Sequence, residues 1–226
     1  MTIAGYVPNS FVDYPGKIAA LVFAPGCNMN CWYCHNHHLL TRDAERVIYN
    51  PRTILSDLER KQGFLDAVVL TGGEPTLQIG LSDFAREVKQ LGYLVKLDTN
   101  GTRPDVVRAM LAEGLLDYIA MDIKAPFEKY ESVCRRAVDI EKIKESIELL
   151  RSSGIDYEFR TTFSPDLTAE DITAIASCLA GANRYTLQQY RETERTHAKK
   201  PHTPEYVKAC AAQIASQFGA FRVLGL

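Results

Sequence analysis

The sequence predicts an α/β fold built on a parallel β-sheet. Short apolar runs alternate with stretches whose apolar residues recur at helical spacing, a pattern typical of strand–helix units joined by right-handed crossovers. Polar residues follow four successive apolar runs, where the carboxyl ends of parallel strands would meet at one face. We predict about six strands, which are few for a full eight-stranded barrel. Spacing alone leaves open whether the sheet is doubly wound or a partial barrel.

Six nearly continuous apolar runs are predicted to be buried strands, because a strand covered on both faces does not need alternating polar residues. In chain order these runs span residues 18–23, 67–70, 94–97, 118–121, 157–163 and 185–188.

Four stretches keep a helical period of apolar residues, at 81–91, 140–150, 168–179 and 207–218. We predict that Ser82 caps the first of them and that Gly154 ends the second. Thr168 opens a run with acidic residues at the positions of a capping box, which predicts the start of the third helix.

Composition limits the class of protein. The chain has 226 residues, of which 46% are hydrophobic, so one domain over 1–226 is expected, with a core of about 16–195 and a C-terminal helix and short tail at 204–226. The net charge of −2 gives no reason to expect nucleic-acid binding. No apolar run reaches the length of a membrane span and no signal peptide is visible, so we expect no membrane contact and a cytoplasmic location.

Three of the six cysteines form a tight group, Cys27, Cys31 and Cys34, spaced C-x3-C-x2-C. These spacings would also suit one face of a helix. Pro25 and Gly26 come directly before the group, and asparagines lie within it, which favours a loop. In a protein without a disulfide framework, such a group indicates a metal or catalytic thiol site.

Two metal sites are compatible with this spacing. A structural zinc ion normally takes four protein ligands, and His35, His37 or His38 could supply the fourth. An iron–sulfur cluster normally takes four cysteines, so three would leave one iron open to a small molecule.

The cysteine loop resembles the signature of the radical S-adenosylmethionine enzymes, in which an aromatic residue precedes the third cysteine. Residues 31–36, Cys-Trp-Tyr-Cys-His-Asn, resemble the glycyl-radical-enzyme activases of that superfamily. Four further segments agree with this resemblance: 13–16, 72–76, 98–101 and 121–124. Over about residues 3–195 the chain is most similar to the anaerobic ribonucleoside-triphosphate reductase activating proteins, with pyruvate formate-lyase activating enzymes next. Cys134, Cys178 and Cys210 are too dispersed to form the second cluster of the ferredoxin-bearing activases.

The resemblance implies a fold, cofactors and partners. The fold would be a partial (β/α)6 TIM-like barrel with outer helices. Cys27, Cys31 and Cys34 would be the catalytic and metal-binding residues that hold a [4Fe–4S] cluster, and the open iron would bind S-adenosylmethionine. Reductive cleavage would give a 5′-deoxyadenosyl radical, which installs a glycyl radical on a partner. That partner would be anaerobic ribonucleoside-triphosphate reductase, and a flavodoxin or ferredoxin would supply the electron.

The resemblance also implies the residues that bind the cofactors: Tyr33, Gly72, Gly73, Glu74, Asp98, Asn100, Lys124, Arg160 and Gln189. Tyr33 would shield the cluster together with Trp32. The two glycines would let the backbone approach the ligand, and Glu74 would accept hydrogen bonds from the methionine ammonium. Asp98, Thr99 and Asp122 could hold a monovalent cation.

Several of these residues have a second interpretation. Arg160 lies in an apolar strand, where a charge needs a partner, so it either binds the cofactor carboxylate or forms a structural ion pair. Lys124 is either near the cofactor or at the surface. Gln189 stands near the position of an activase histidine and could replace its adenosine contact. Residues 13–16 either line the entrance or form a hairpin turn.

The sequence is also compatible with three other functions. The chain could activate pyruvate formate-lyase or another glycyl radical enzyme. It could instead be a radical enzyme that acts on a small molecule such as a pterin-like precursor. The non-enzymatic alternative is a Cys3His zinc or electron-transfer module.

Overall fold

The computed structural model of the protein describes residues 1–40, 48–192, 196 and 199–226, and within them one sheet of eight strands follows the order of the chain. The strands are β1 Gly5–Tyr14, β2 Lys17–Ala24, β3 Ala67–Gly72, β4 Leu94–Thr99, β5 Tyr118–Asp122, β6 Asp156–Phe163, β7 Arg184–Gln189 and β8 Ala220–Leu224. β1 is antiparallel to β2, and every later pair is parallel. The parallel strands curl into a half-barrel, which confirms the partial barrel with outer helices.

The six predicted strands correspond to β2 through β7, while β1 and β8 were not predicted. β1 is an edge strand whose side chains are mostly exposed, and it contains Pro8, so its sequence lacks the apolar run of a buried strand. β8 is only half-buried, over five residues. The tail predicted after the last helix is therefore part of the sheet. Residue 195, where the core was predicted to end, lies outside the described residues.

Residues 13–16 form a hairpin turn. Tyr14 pairs with Lys17, and Gly16 takes a φ of +70°, which glycine adopts without strain. The turn lies at the amino end of β2, whereas the cysteine loop follows its carboxyl end. This segment therefore does not line the entrance at the cysteine side.

Seven helices accompany the strands within the described ranges. They are α1 Pro51–Arg60, α2 Leu81–Gln90, α3 Pro104–Ala112, α4 Tyr130–Cys134, α5 Ile140–Ser152, α6 Ala169–Leu179 and α7 Pro204–Ile214. The four predicted helices are α2, α5, α6 and α7, and the capping box of Thr168 with Asp171 is present. The predicted cap at Ser82 is wrong, because Gly80 takes that position with a φ of +79°. None of the helices described here is both long and apolar enough to cross a membrane.

Alternate residues of the strands face two different environments. Ala20 and Val22 of β2 belong to the large core between the sheet and the helices, whereas Ala19 and Leu21 point into the half-barrel. The interior is apolar along β2 and β3. From β4 onward it carries charged side chains, among them Lys96, Asp98, Asp122, Glu158 and Arg160. The sheet therefore presents a charged inner wall opposite an apolar one.

Candidate active site

A cavity of about 510 Å³ lies at the carboxyl ends of the strands. Every predicted site residue except Glu74 lines it, so the structure brings together side chains from the loops after β2, β3, β4 and β5 and from β6 and β7. This volume is within the range of small-molecule and cofactor sites. The arrangement matches the expectation that polar residues after successive strands share one face.

The three clustered cysteines lie in a loop, as predicted, and not on a helix. The loop leaves β2 at Ala24, and the Gly26 amide donates to the Leu39 carbonyl at 2.8 Å, which closes it. Within the loop the Cys34 amide donates to the Cys31 carbonyl at 3.1 Å.

Gly72 and Gly73 dock the start of this loop against β3. The Gly73 amide donates to the Ala24 carbonyl at 2.8 Å, and the Glu74 amide donates to the Gly26 carbonyl at 2.8 Å. A Cβ atom on Gly73 would lie 2.0 Å from the Gly26 carbonyl oxygen. These glycines therefore allow two backbone segments to approach each other closely at the wall of the cavity.

Glu74 lies beneath the cavity, and its side chain is fully buried. Its Oε1 accepts from the Thr76 amide at 3.1 Å, the Thr76 hydroxyl at 2.6 Å and the Thr99 hydroxyl at 2.8 Å, and its Oε2 accepts from the Asn100 amide at 2.7 Å. Burial raises the pKa of this carboxyl, and the four hydrogen bonds oppose that shift. All four of these partners lie within the protein, and the contact of Glu74 with a ligand ammonium stays a prediction.

The sulfur of Cys27 has two nitrogen donors. The Met29 amide lies 3.4 Å from it and the Asn100 side-chain amide lies 3.7 Å from it. Asn100 also donates to Asn28 Oδ1 at 2.9 Å, so the loop after β4 supports the cysteine loop. Burial raises the pKa of the Cys27 thiol to about 11.

Cys31 has a neighbour that sequence reasoning missed. Its side chain is hydrogen-bonded to that of Cys134, the last residue of α4, and this bond lowers the pKa of Cys31 to about 7. The same bond and burial raise the pKa of Cys134. Because these two cysteines are far apart in the sequence, their spacing could not have predicted this contact.

The three thiols line one cavity. Among the described residues, no three His, Cys, Asp or Glu side chains stand in an arrangement that could hold a single metal ion. His35 Nε2 lies 3.2 Å from the Arg191 carbonyl oxygen, and His37 Nε2 lies 3.2 Å from Asn30 Oδ1. Each of these two rings therefore has a hydrogen-bond partner other than the three cysteines.

Charged side chains at the inner wall form a linked group. Arg160 Nε lies 2.8 Å from Asp122 Oδ1, and its NH1 lies 3.5 Å from Asp98 Oδ1. Lys124 Nζ lies 2.9 Å from Asp122 Oδ2 and is largely buried, so it is not a surface lysine. Burial alone would raise the pKa of Asp122, but Arg160 and Lys124 outweigh it and hold that pKa below its usual value. Arg160 therefore stands between the two carboxylates that were expected to hold a cation.

Three buried polar atoms of cavity-lining residues find no hydrogen-bond partner within the described part of the chain: Tyr33 OH, Asp98 Oδ1 and Gln189 Oε1. Gln189 uses its Nε2 to donate to the His202 carbonyl at 2.7 Å, which leaves its oxygen available. Asp98 Oδ1 has ion pairs with Arg160 and Lys96 but no hydrogen bond. Buried polar atoms normally have hydrogen-bond partners, so Tyr33 OH and Gln189 Oε1 indicate a polar ligand. Together with three soft sulfur donors at the same cavity, they fit an iron–sulfur cluster and a nucleoside-containing cofactor.

Comparison with known proteins agrees with this chemistry. The model of the radical SAM superfamily matches residues 21–179. A protein of Methanocaldococcus jannaschii, provisionally named a glycyl-radical enzyme activating enzyme, is 38% identical over 194 residues, which cover 83% of this chain and 79% of that protein. The 7-carboxy-7-deazaguanine synthase of Thermococcus kodakarensis is 26% identical over 209 residues, which cover 81% of this chain and 79% of that enzyme.

A solved structure shares the fold. SuiB of Streptococcus suis superposes with a TM-score of 0.69 at 15% identity over 91% of this chain, which spans only 48% of the SuiB chain. SuiB has also been solved with S-adenosylmethionine bound. Membership of the matched family implies a [4Fe–4S] cluster and S-adenosylmethionine as cofactors. The chain is an enzyme of the radical SAM superfamily.

Proposed function

We propose that this enzyme is a glycyl-radical-enzyme activase. Its cluster, when bound and reduced, would supply one electron that cleaves S-adenosylmethionine to methionine and a 5′-deoxyadenosyl radical. That radical would take the α-hydrogen of a glycine on a partner enzyme, so 5′-deoxyadenosine and a glycyl radical would be the products. The 38% identity to a protein with this provisional name supports the proposal.

Different residues of the cavity would bind different parts of the two cofactors. Cys27, Cys31 and Cys34 hold the cluster through their sulfurs, since all three line the cavity. The cavity lining has a surplus of positive charge, because Lys124, Arg160 and Arg191 line it together with two carboxylates, Asp98 and Asp122. A ligand carboxylate would offset that surplus.

Buried polar atoms that form no hydrogen bond in the described structure would bind the rest of the cofactor. Asp98 Oδ1 would accept from a ribose hydroxyl, and Gln189 Oε1 would accept from the adenine amino group. Gly72 and Gly73 contribute backbone at the cavity wall and hold the cysteine loop in place. Tyr33 is buried beside Cys31 and would exclude water from the cluster.

The observation that carries the proposal is that three loop cysteines and three buried polar atoms without a hydrogen bond line one cavity of a half-barrel. An open barrel leaves room for a loop of a large protein substrate to reach that cavity. We propose anaerobic ribonucleoside-triphosphate reductase as the partner, a flavodoxin or ferredoxin as the electron donor, and the cytoplasm as the location.

The test is anaerobic reconstitution with iron and sulfide, followed by incubation with S-adenosylmethionine, dithionite and the candidate reductase. A glycyl doublet in the electron paramagnetic resonance spectrum of the reductase, with formation of 5′-deoxyadenosine, is the expected result. Cys31→Ala should abolish both, whereas Cys178→Ala, at an exposed cysteine, should change neither. Tightly bound zinc in place of iron, or activity retained in Cys31→Ala, would refute the proposal.

A small-molecule substrate is the second candidate, favoured by the relationship to 7-carboxy-7-deazaguanine synthase over most of both chains. The same incubation separates the two. Deoxyadenosine formed without any glycyl doublet on glycyl radical enzymes, but stimulated by a nucleotide-derived small molecule, would support this alternative.

A further inference from the structure

The side-chain amide of Asn100, in the loop after β4, is buried and has a partner for each of its hydrogen-bonding positions. Its Oδ1 accepts from the Thr102 backbone amide at 3.1 Å and from the Thr102 hydroxyl at 2.7 Å. Its Nδ2 donates to Asn28 Oδ1 at 2.9 Å and to the Cys27 sulfur at 3.7 Å. A primary amide has two N–H bonds and an oxygen with two lone pairs, so these four contacts use all of them.

Three side chains close a ring of hydrogen bonds around this amide. Asn100 Nδ2 donates to Asn28 Oδ1, Asn28 Nδ2 donates to the Thr102 hydroxyl at 2.8 Å, and the Thr102 hydroxyl donates to Asn100 Oδ1. Each member donates to the next, so the bonds run in one direction around the ring and strengthen one another. Asn100 is 5% exposed and Thr102 is 7% exposed, so little water can compete for these bonds.

The Thr102 backbone amide fixes which way the Asn100 side chain points. A backbone N–H can only donate, so the atom of Asn100 that faces it must be the oxygen. The nitrogen then faces Cys27 and Asn28. The opposite orientation would place two N–H donors against each other in a buried position, so the Asn100 nitrogen stays on the side of the Cys27 sulfur.

The Cys27 sulfur therefore receives hydrogen bonds from two separate segments. The Met29 amide, 3.4 Å away, belongs to the cysteine loop itself, whereas the Asn100 side chain comes from the loop after β4. A cysteine binds a metal as its thiolate, so the sulfur of an iron-bound Cys27 would only accept hydrogen bonds. Hydrogen bonds to the sulfurs are one of the factors that set the reduction potential of an iron–sulfur cluster.

We propose that Asn100 is a positioning residue that acts through Cys27: the ring with Asn28 and Thr102 holds its N–H toward the Cys27 sulfur, and this donor raises the reduction potential of the cluster. This inference rests on the proposed assignment of Cys27 as a cluster ligand. The physical reason is that reduction adds negative charge to the cluster and its sulfurs, so a donor stabilises the reduced form more than the oxidised form.

The first experiment measures the midpoint potential of the reconstituted full-length protein in a redox titration monitored by electron paramagnetic resonance. In Asn100→Ala the ratio of reduced to oxidised cluster at a fixed potential should fall several-fold, where tenfold corresponds to 59 mV for one electron. Thr102→Val removes the hydroxyl of the ring and keeps the backbone amide, so it should lower the potential in the same direction by a smaller amount. Thr102→Ser restores the hydroxyl and should have the wild-type potential.

Thr161→Val is the matched control for Thr102→Val. Thr161 is also buried, its hydroxyl donates to the Ile123 carbonyl at 2.9 Å, and it is not among the described residues that line the cavity. This variant loses one buried hydrogen bond of similar length, and its potential should equal that of the wild type. A structural effect alone would give Thr102→Val and Thr161→Val the same potential, which would overturn the inference.

A second measurement detects the hydrogen bond itself. Electron–nuclear double resonance of the reduced cluster, compared in H2O and D2O, should show exchangeable protons in the wild type and in Thr102→Ser. Asn100→Ala should lose one of these proton couplings and keep the one from the Met29 amide. If Asn100→Ala does not fold, the comparison of Thr102→Val with Thr102→Ser still decides, because equal potentials in those two variants would overturn the role of the ring.

Two results with folded Asn100→Ala would also overturn the inference. A wild-type potential with full iron content would show that the donor has no effect on the cluster. Loss of iron would show that Asn100 holds the cysteine loop in place and does not tune the cluster. Neither result touches the proposed function, whereas a full cluster in Cys27→Ala would remove the ligand assignment itself.

Discussion

The Glu74 carboxylate accepts a hydrogen bond from the Asn100 backbone amide at 2.7 Å, and this contact joins the loop after β3 to the loop after β4. Asn100 in turn donates to the Cys27 sulfur and to Asn28. The segment that resembles a ligand-binding motif in the sequence therefore also supports the cysteine loop.

The first prediction concerns Glu74→Gln. An amide in this position keeps one oxygen and places an NH2 group against donors, so the cluster-free protein should lose about 1–3 kcal/mol of unfolding free energy. Urea unfolding under reducing conditions measures the loss. Unchanged stability together with lost S-adenosylmethionine binding would instead show that Glu74 contacts the ligand directly.

The second prediction concerns Gly73→Ala. The added Cβ would overlap the Gly26 carbonyl oxygen, so the cysteine loop must move, at a cost of about 3 kcal/mol, and the protein should fail to retain iron after reconstitution. Gly63→Ala is the matched control, because Gly63 has a φ of +82° but no atom near its Cβ position. That control should lose about 1–2 kcal/mol and keep its iron. Normal iron content in Gly73→Ala would contradict the docking role of this glycine.

The third prediction concerns the monovalent cation. Because the Arg160 guanidinium lies between Asp98 and Asp122, binding of S-adenosylmethionine should be equal in sodium, potassium and choline chloride at one ionic strength. Arg160→Gln would remove one partner from each of two partly buried carboxylates, which keep their contacts with Lys96 and Lys124. It should cost about 1–3 kcal/mol and should make thermal stability depend on the cation. Calorimetric titration and thermal unfolding measure the two effects. If the wild type bound S-adenosylmethionine only in potassium, that result would contradict this prediction and support the cation site expected from the sequence.

The fourth prediction is a pH dependence at the outer side of β1. Asp57 accepts from the Tyr6 hydroxyl at 2.7 Å and pairs with Lys61 at 2.9 Å, and the hydrogen bond from Lys61, followed by that from Tyr6, lowers the pKa of Asp57 from 3.8 to about 2. A lowered pKa gives stability that is fully present above pH 3.8 and is lost as the pH falls through 2. Asp57→Asn should therefore cost about 1 kcal/mol at pH 6 and progressively less below pH 4. Urea unfolding across this range is the measurement, and a cost that does not change with pH would contradict the ion pair.

The sequence was sufficient for the elements whose pattern is local. β2 through β7 are continuous apolar runs because both of their faces are covered, and the capping box at Thr168 needs only adjacent residues. β1 is solvated at the sheet edge and β8 is half-buried, so neither carries that pattern.

The parts of the site that follow from local sequence pattern were likewise predictable. The clustered cysteines and the polar residues after each strand identified the cavity, because parallel strands bring their ends together. The position of Glu74 beneath the cavity and the contact between Cys31 and Cys134 depend on how distant segments pack. Arg160 was recognised as a charge that needs a partner, but only the structure shows that its partners are Asp122 and Asp98.

The central claim is that Cys27, Cys31 and Cys34 hold an iron–sulfur cluster and leave one iron open to S-adenosylmethionine. Mössbauer spectroscopy of protein loaded with ⁵⁷Fe, recorded with and without S-adenosylmethionine, tests it most directly. The account predicts a single iron site whose isomer shift changes when the cofactor is added, while the other sites keep theirs. A spectrum that is the same with and without the cofactor, in a protein that holds its full iron, would contradict it.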